Sequence, residues 1–86
     1  MEHYAMSNNT IFEKITSLVK KIADNNALEL TPESAFEDIE NWDSLNTVDL
    51  EMEIEQEFSI SFETGEFQEY KTIAQLIDAI SKKVDN

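Results

Sequence analysis

The chain has 86 residues, 19 acidic and 6 basic, with 41% hydrophobic content and a formal net charge of −13 at neutral pH. That length suits one small domain burying roughly 60% of its unfolded surface, and the charge repels nucleic-acid backbones and anionic membranes while drawing basic partners. The absence of cysteine excludes disulfides, thiolate catalysis and sulfur-ligated zinc, and apolar runs of no more than two or three residues give neither a signal peptide nor a transmembrane span, so a cytoplasmic protein without membrane insertion is expected.

Residues 1–9 are polar and aperiodic and read as a disordered tail, with the folded domain over 10–86. From Ile11 the apolar residues Ile11, Phe12, Ile15, Leu18, Val19 and Ile22 make one helical stripe. Asn9 or Thr10 would cap this first helix, and Asn25-Asn26 would stop it after Lys20 and Lys21, whose charge complements the helix dipole. The connection over 25–42 is long for a helical domain and needs anchors, which Leu28, Leu30, Phe36, Ile39 and Trp42 supply. Within it, Thr31-Pro32-Glu33-Ser34 has a cap followed by proline, compatible with one helical turn or with an ordered loop.

A second helix should start at Asp43 or Ser44, both good caps, and run to about Phe58. At ~100° per residue, Leu50, Ile54 and Phe58 form one stripe, and Leu45, Val48 and Met52 form another roughly 150° away. One stripe is enough for a core, so the second needs a different explanation. Ser59-Ile60-Ser61-Phe62 alternates like a strand but has no convincing strand to pair with, and reads as a linker burying Ile60 and Phe62. A short third helix fits 64–69, with Phe67 and Tyr70 turned inward. Thr72-Ile73-Ala74-Gln75 has the form of a capping box, and Ile73, Leu76, Ile77, Ile80 and Val84 continue as the last helix. The fold class is therefore all-α, a four-helix bundle of three long helices and one short one, with a long first loop.

The sequence offers little for catalysis, and a non-enzyme is expected. The only histidine, His3, lies in the tail, and no lysine sits in an apolar stretch. Carboxylates at i, i+4, such as Asp49 with Glu53 and Glu51 with Glu55, read as solvated repulsive pairs. Glu37, Asp38 and Glu40 lack the spacing and glycine of a calcium loop, so no metal site is expected. What remains is Ser44, a hydroxyl at a helix tip beside Asp43 with no base of its own, which another protein would have to activate.

The run Asp43-Ser44-Leu45, followed by Thr47-Val48-Asp49-Leu50 and Glu55-Gln56-Glu57-Phe58, resembles the modification site and recognition helix of the acyl carrier protein family. The resemblance extends from Ile11 to Ile80. It implies a stand-alone carrier bundle whose Ser44 receives 4′-phosphopantetheine from coenzyme A through a phosphopantetheinyl transferase, with Asp43 beside the attachment point. It also implies that Leu45, Val48 and Met52, flanked by Asp49, Glu53 and Glu55, dock acyl-loading and acyl-transferring enzymes through basic patches, with the carrier itself a monomer. Family members often have glycine two residues before the aspartate and after the phenylalanine, where this chain has Asn41 and Ser59. Trp-Asp-Ser-Leu is similar to stand-alone carriers of specialised pathways, so fatty acid, polyketide and other pathways all stay open. Aspartate at this position favours acyl over aminoacyl or peptidyl cargo. Two other readings compete: an acidic interaction module without a prosthetic group, and a small hydrolase using Ser44.

Overall fold

The structure, a computed structural model, describes residues 7–84. Three α-helices, α1 (Asn8–Ala23), α2 (Ser44–Phe58) and α3 (Ile73–Val84), are joined by long connections that carry 3-10 turns at Phe36–Asp38 and Phe67–Glu69. The all-α class and the three long helices match the apolar periodicities, and the fourth, short helix is present as the second 3-10 turn. Among the described residues no helix is long and apolar enough to cross a membrane.

Helix α1 begins earlier than expected. Ser7 caps it, its hydroxyl accepting the Thr10 N–H at 3.1 Å, and Asn8, Asn9 and Thr10 form an exposed first turn. Apolar spacing cannot register a turn with no apolar residue, so the capping positions proposed for Asn9 and Thr10 are corrected to Ser7. Residues 8–9, assigned above to a tail, are helical, and residues 1–6, with His3, lie outside the described part. The stop also falls one residue early: Asp24 takes the left-handed conformation (φ 55), and the Asn25 N–H returns to the Lys20 carbonyl at 3.0 Å.

The core is the meeting of three stripes: Ile11, Ile15 and Val19 of α1, Leu50, Ile54 and Phe58 of α2, and Ile73, Leu76, Ile77 and Ile80 of α3, all buried. Helix α1 packs against both other helices, whereas α2 and α3 have little direct contact. The space between them is closed by the first loop and by the segment before α3.

The loop is held by backbone hydrogen bonds as well as by apolar anchors. Ile39 is buried, and Leu28, Leu30, Phe36 and Trp42 pack half-buried against the core. The Ile73 and Ala74 N–H groups donate to the carbonyls of Ser34 (3.1 Å) and Pro32 (2.7 Å), and the Phe36 N–H donates to the Lys71 carbonyl (3.0 Å). The loop thus accepts hydrogen bonds from amides at the start of α3 that have no partner within the helix. Thr31 to Ser34 forms a turn, with the Ser34 N–H on the Thr31 carbonyl at 2.9 Å, and does not become helix because its carbonyls face α3. The capping box is real: the Gln75 N–H donates to Thr72 Oγ1 at 3.2 Å and the Thr72 N–H to Gln75 Oε1 at 3.3 Å.

The segment 59–70 forms no strand; Phe62 and Phe67 are buried, and Ile60 and Tyr70 are half-buried. A helix over 64–69 is interrupted because Gly65 sits at φ 83, leaving only the 3-10 turn Phe67–Glu69. Glu66 ties this segment down. Its carboxylate accepts the Tyr70 hydroxyl (2.6 Å) and the Glu63 N–H (2.9 Å), and pairs with Lys83 in the last turn of α3 (3.2 Å). Lys83 Nζ also lies 5.2 Å from the centre of the Phe62 ring.

The two departures from family glycines are both left-handed positions, Asn41 at φ 66 and Ser59 at φ 56. Ser59→Gly is expected to raise the unfolding free energy by about 1 kcal/mol by removing a Cβ clash. Asn41→Gly should gain less, since asparagine tolerates this region. Urea unfolding with unchanged slope checks both. The Glu66 carboxyl is lowered by the Tyr70 hydroxyl and the Glu63 N–H, and the Tyr70 phenol is pushed up to about 12, first by its bond to Glu66 and then by burial. Because the folded value for Tyr70 exceeds the ordinary 10, its contribution to stability is complete below pH 10 and is lost as pH rises through about 12. Tyr70→Phe is expected to flatten that alkaline decline in chemical unfolding, and Glu66→Gln to cost about 1 kcal/mol at neutral pH.

Candidate functional site

The head of α2 is fixed from several directions. Asp43 is the N-cap, its Oδ1 accepting the Asn46 N–H at 3.0 Å while its carbonyl accepts the Thr47 N–H at 3.1 Å. Thr47 Oγ1 donates to the same carbonyl at 3.3 Å and accepts the Trp42 indole N–H at 3.1 Å. The Trp42 ring stacks on Phe36 with centroids 6.1 Å apart, and the Trp42 N–H donates to the Ile39 carbonyl, so the long loop delivers the corner in a single orientation. Asn41, at positive φ, turns the chain into it.

Ser44 is the first residue of α2 and is exposed. Among the described residues the N–H groups of Ser44 and Leu45 have no acceptor, while that of Asn46 is taken by Asp43. Two open amide donors and the positive end of the helix dipole therefore surround the hydroxyl. Ser44 borders a half-open cleft of about 320 Å³ between the loop, α2 and the segment before α3. Phe36, Trp42, Phe67 and Tyr70 line it, together with Lys71 and the acids Glu37 and Asp43.

The second apolar stripe of α2 faces solvent. Leu45 is 74% exposed, Val48 44% and Met52 58%. Neither Leu45 nor Val48 is therefore buried beneath the first loop. Asp49 is exposed, and among the described residues it pairs with no cation. Glu53 pairs with Lys21 of α1 at 3.2 Å and Glu57 with Lys14 at 2.8 Å, while Glu55 Oε2 accepts the Phe62 N–H at 2.8 Å. Two of the acids expected at a partner surface, Glu53 and Glu55, are thus also engaged within the chain. Glu51 has no such partner among the described residues; burial, then repulsion from Glu55 and Glu66, pushes its carboxyl up. Among the described residues no side chain hydrogen-bonds to the Ser44 hydroxyl, and its neighbours Asp43 and Thr47 bond to the Asn46 N–H and the Asp43 carbonyl.

Sequence reasoning missed Thr47 as the hub of the corner, although a hydroxyl one turn after the cap is a readable hint. It also missed the contribution of Lys71, Gln68 and Tyr70 to the cleft wall. Nothing local signals that, because they arrive through the tertiary fold.

Residues 13–80 match the family model described as a phosphopantetheine attachment site. Relatives are acyl carrier proteins: that of Thermosynechococcus vestitus is 32% identical over 79 residues, covering 92% of this chain and 98% of the relative. That of Chlorobium phaeobacteroides is 36% identical over 78 residues, covering 91% and 100%, and that of Porphyromonas gingivalis 38% identical over 72 residues, covering 84% and 92%. The solution structure of a holo acyl carrier protein from Geobacter metallireducens superposes with a TM-score of 0.75 at 32% identity, covering 85% of this chain and 84% of that one. Fold, site and relatives define a phosphopantetheine-attachment domain, and the chain belongs to the acyl carrier protein family. The prosthetic group that goes with this family is a covalently attached 4′-phosphopantetheine.

The capping role of Asp43 separates from its charge. Asp43→Ala is expected to lower stability by about 1 kcal/mol, and Asp43→Asn, which keeps the accepting oxygen, by a few tenths at most, as read by thermal unfolding.

Proposed function

We propose that Ser44 carries the 4′-phosphopantetheine arm and that the chain shuttles acyl groups between enzymes of a fatty acid, polyketide or other specialised pathway in the cytoplasm, without catalysis of its own. The observation that carries this reading is the exposed Ser44 hydroxyl at the tip of a capped helix, directly beside an exposed apolar strip. The thiol ending the arm supplies the chemistry by holding acyl groups as thioesters. The residues present suit such a group: the open Ser44 and Leu45 amides and the helix dipole favour a phosphodiester at the tip of α2. The aromatic walls of the cleft offer apolar surface to a folded-back acyl end.

Loading requires an enzyme that deprotonates Ser44, because among the described residues no base is hydrogen-bonded to its hydroxyl. In that step the serine oxygen forms a new P–O bond, the pyrophosphate P–O bond of coenzyme A breaks, and the adenosine bisphosphate half leaves. Asp43 holds the helix head so that the hydroxyl stays outward.

Leu45, Val48 and Met52 serve as the partner-binding strip, with Asp49, Glu53 and Glu55 among the flanking acids. Burying each apolar chain is worth roughly 1.5–3 kcal/mol, and the cost of association consumes much of that. The balance gives weak, fast, salt-sensitive docking, suited to a carrier that must leave each enzyme.

Incubation of the apo protein with coenzyme A and a broad-specificity phosphopantetheinyl transferase should add the mass of one phosphopantetheine group, and Ser44→Ala should abolish the addition. An unmodified wild type, or modification that survives Ser44→Ala, refutes the assignment. Met52→Glu should raise KM for the carrier at least tenfold, on the order of 1.4 kcal/mol, and leave the fold intact because the side chain is exposed.

A further inference from the structure

Nothing on Ser44 itself fixes where its oxygen points, since among the described residues neither its hydroxyl nor its N–H has a hydrogen-bond partner. What is fixed is the peptide unit leading into it. The Asp43 carbonyl and the Ser44 N–H belong to one planar group, and that carbonyl accepts both the Thr47 N–H at 3.1 Å and Thr47 Oγ1 at 3.3 Å. Its two lone pairs are then both in use, so the plane is held by a single residue one turn along α2. The direction of the hydroxyl proton is forced as well. An indole N–H only donates and a carbonyl only accepts, so Thr47 Oγ1 receives the Trp42 indole proton at 3.1 Å and gives its own to Asp43. A helical threonine divides between two side-chain rotamers, and the indole favours the one that makes both bonds. Trp42 lies outside α2: its ring stacks on Phe36, whose N–H donates to the Lys71 carbonyl at 3.0 Å. The peptide before Ser44 is therefore set against the first loop and the segment ahead of α3, and not by its own helix alone.

Resting on the carrier reading of Ser44, we infer that Trp42 and Thr47 are positioning residues for its modification, holding the Asp43–Ser44 peptide so that the serine oxygen is aimed before the loading enzyme arrives. In the step they serve, that oxygen forms the new P–O bond and its proton passes to a base of the transferase. The adenosine bisphosphate half of coenzyme A leaves with the electrons of the broken pyrophosphate bond. Both side chains act through the peptide plane and need no contact with coenzyme A. Orientation of a reacting atom enters the rate of the chemical step, where even a small misplacement is costly. The docking strip does not rely on the same bond. The start of α2, and with it the direction of Leu45, Val48 and Met52, is set by the Asp43 carboxylate on the Asn46 N–H. Loss of the Thr47 hydroxyl therefore leaves encounter with the enzyme intact and falls on turnover, which makes it separable from a docking defect.

The test is steady-state loading of the full apo chain by coenzyme A and a broad-specificity phosphopantetheinyl transferase, well below the melting temperature. Thr47→Val keeps the shape and removes the hydroxyl; it is expected to lower kcat roughly tenfold while KM for the carrier changes less than about twofold. Thr47→Ser, which restores the hydroxyl, should recover kcat to within about threefold of the wild type. Trp42→Phe keeps a ring against Phe36 but lacks the indole donor, and should reproduce the Thr47→Val defect. The double variant should be no slower than either single one, because both break the same chain of bonds. Ile15→Val, a buried change in α1 that also lowers stability, should leave kcat at the wild-type value. Unchanged kcat in Thr47→Val, a defect in KM instead of kcat, no recovery in Thr47→Ser, or an equal loss in Ile15→Val each overturns the positioning role alone. Failure of Ser44 to load in the wild type overturns the carrier reading beneath it as well.

Discussion

The bond from the Asn46 N–H to the Asp43 carboxylate is the constraint on which the rest depends. It starts α2 at Ser44 and not a residue earlier or later, and a shift of one residue would rotate every side chain on the helix by about 100°. With the start fixed, Leu50, Ile54 and Phe58 point into the core and Leu45, Val48 and Met52 point out of it. The same cap takes the Asn46 amide and leaves two donors open around the serine. Trp42 and Thr47 reinforce the setting through an indole–hydroxyl–carbonyl chain, joining the loop to the helix head.

That geometry explains how one helix meets two demands. A helix with a single apolar face is satisfied by its own domain, whereas α2 has surplus apolar surface, at Leu45, Val48 and Met52, that its own domain leaves exposed. Acidic residues surround the strip, and like charges of this kind oppose the approach of a second copy. The ion pairs to α1 then shape the charge pattern, compensating Glu57 and Glu53 while, among the described residues, Asp49 and Glu51 pair with no cation.

Much of this was legible in the sequence, and the rest was not for identifiable reasons. The three long helices show as repeats of Ile, Leu and Phe at helical spacing, and the Thr72–Gln75 box announces the last one because its chemistry is local. The double stripe of α2 is visible on a wheel, which is why Leu45, Val48 and Met52 could be singled out before any coordinates. A polar first turn such as Asn8 to Thr10 leaves no periodic trace. Gly65 was visible, but its power to cut a helix down to three residues depends on a φ the sequence does not state. The pairing of Glu53 with Lys21, the Lys71 wall of the cleft and the Glu66–Tyr70–Lys83 knot join residues far apart in the chain. Their partners are decided by packing, and composition only shows that acids outnumber cations enough for most to go unpaired.

The bonds that hold the first loop come from the far end of the chain: Pro32 and Ser34 are met by the amides of Ala74 and Ile73. During synthesis those amides emerge some forty residues after the loop they secure. Helix α1 and the head of α2 can form early from local contacts, yet the Phe36–Trp42 corner has no fixed wall behind it until α3 has left the ribosome. The serine corner therefore reaches its finished shape only once α3 has been made and has packed against the loop, and a chain that still lacks α3 presents that corner less rigidly than the folded domain does.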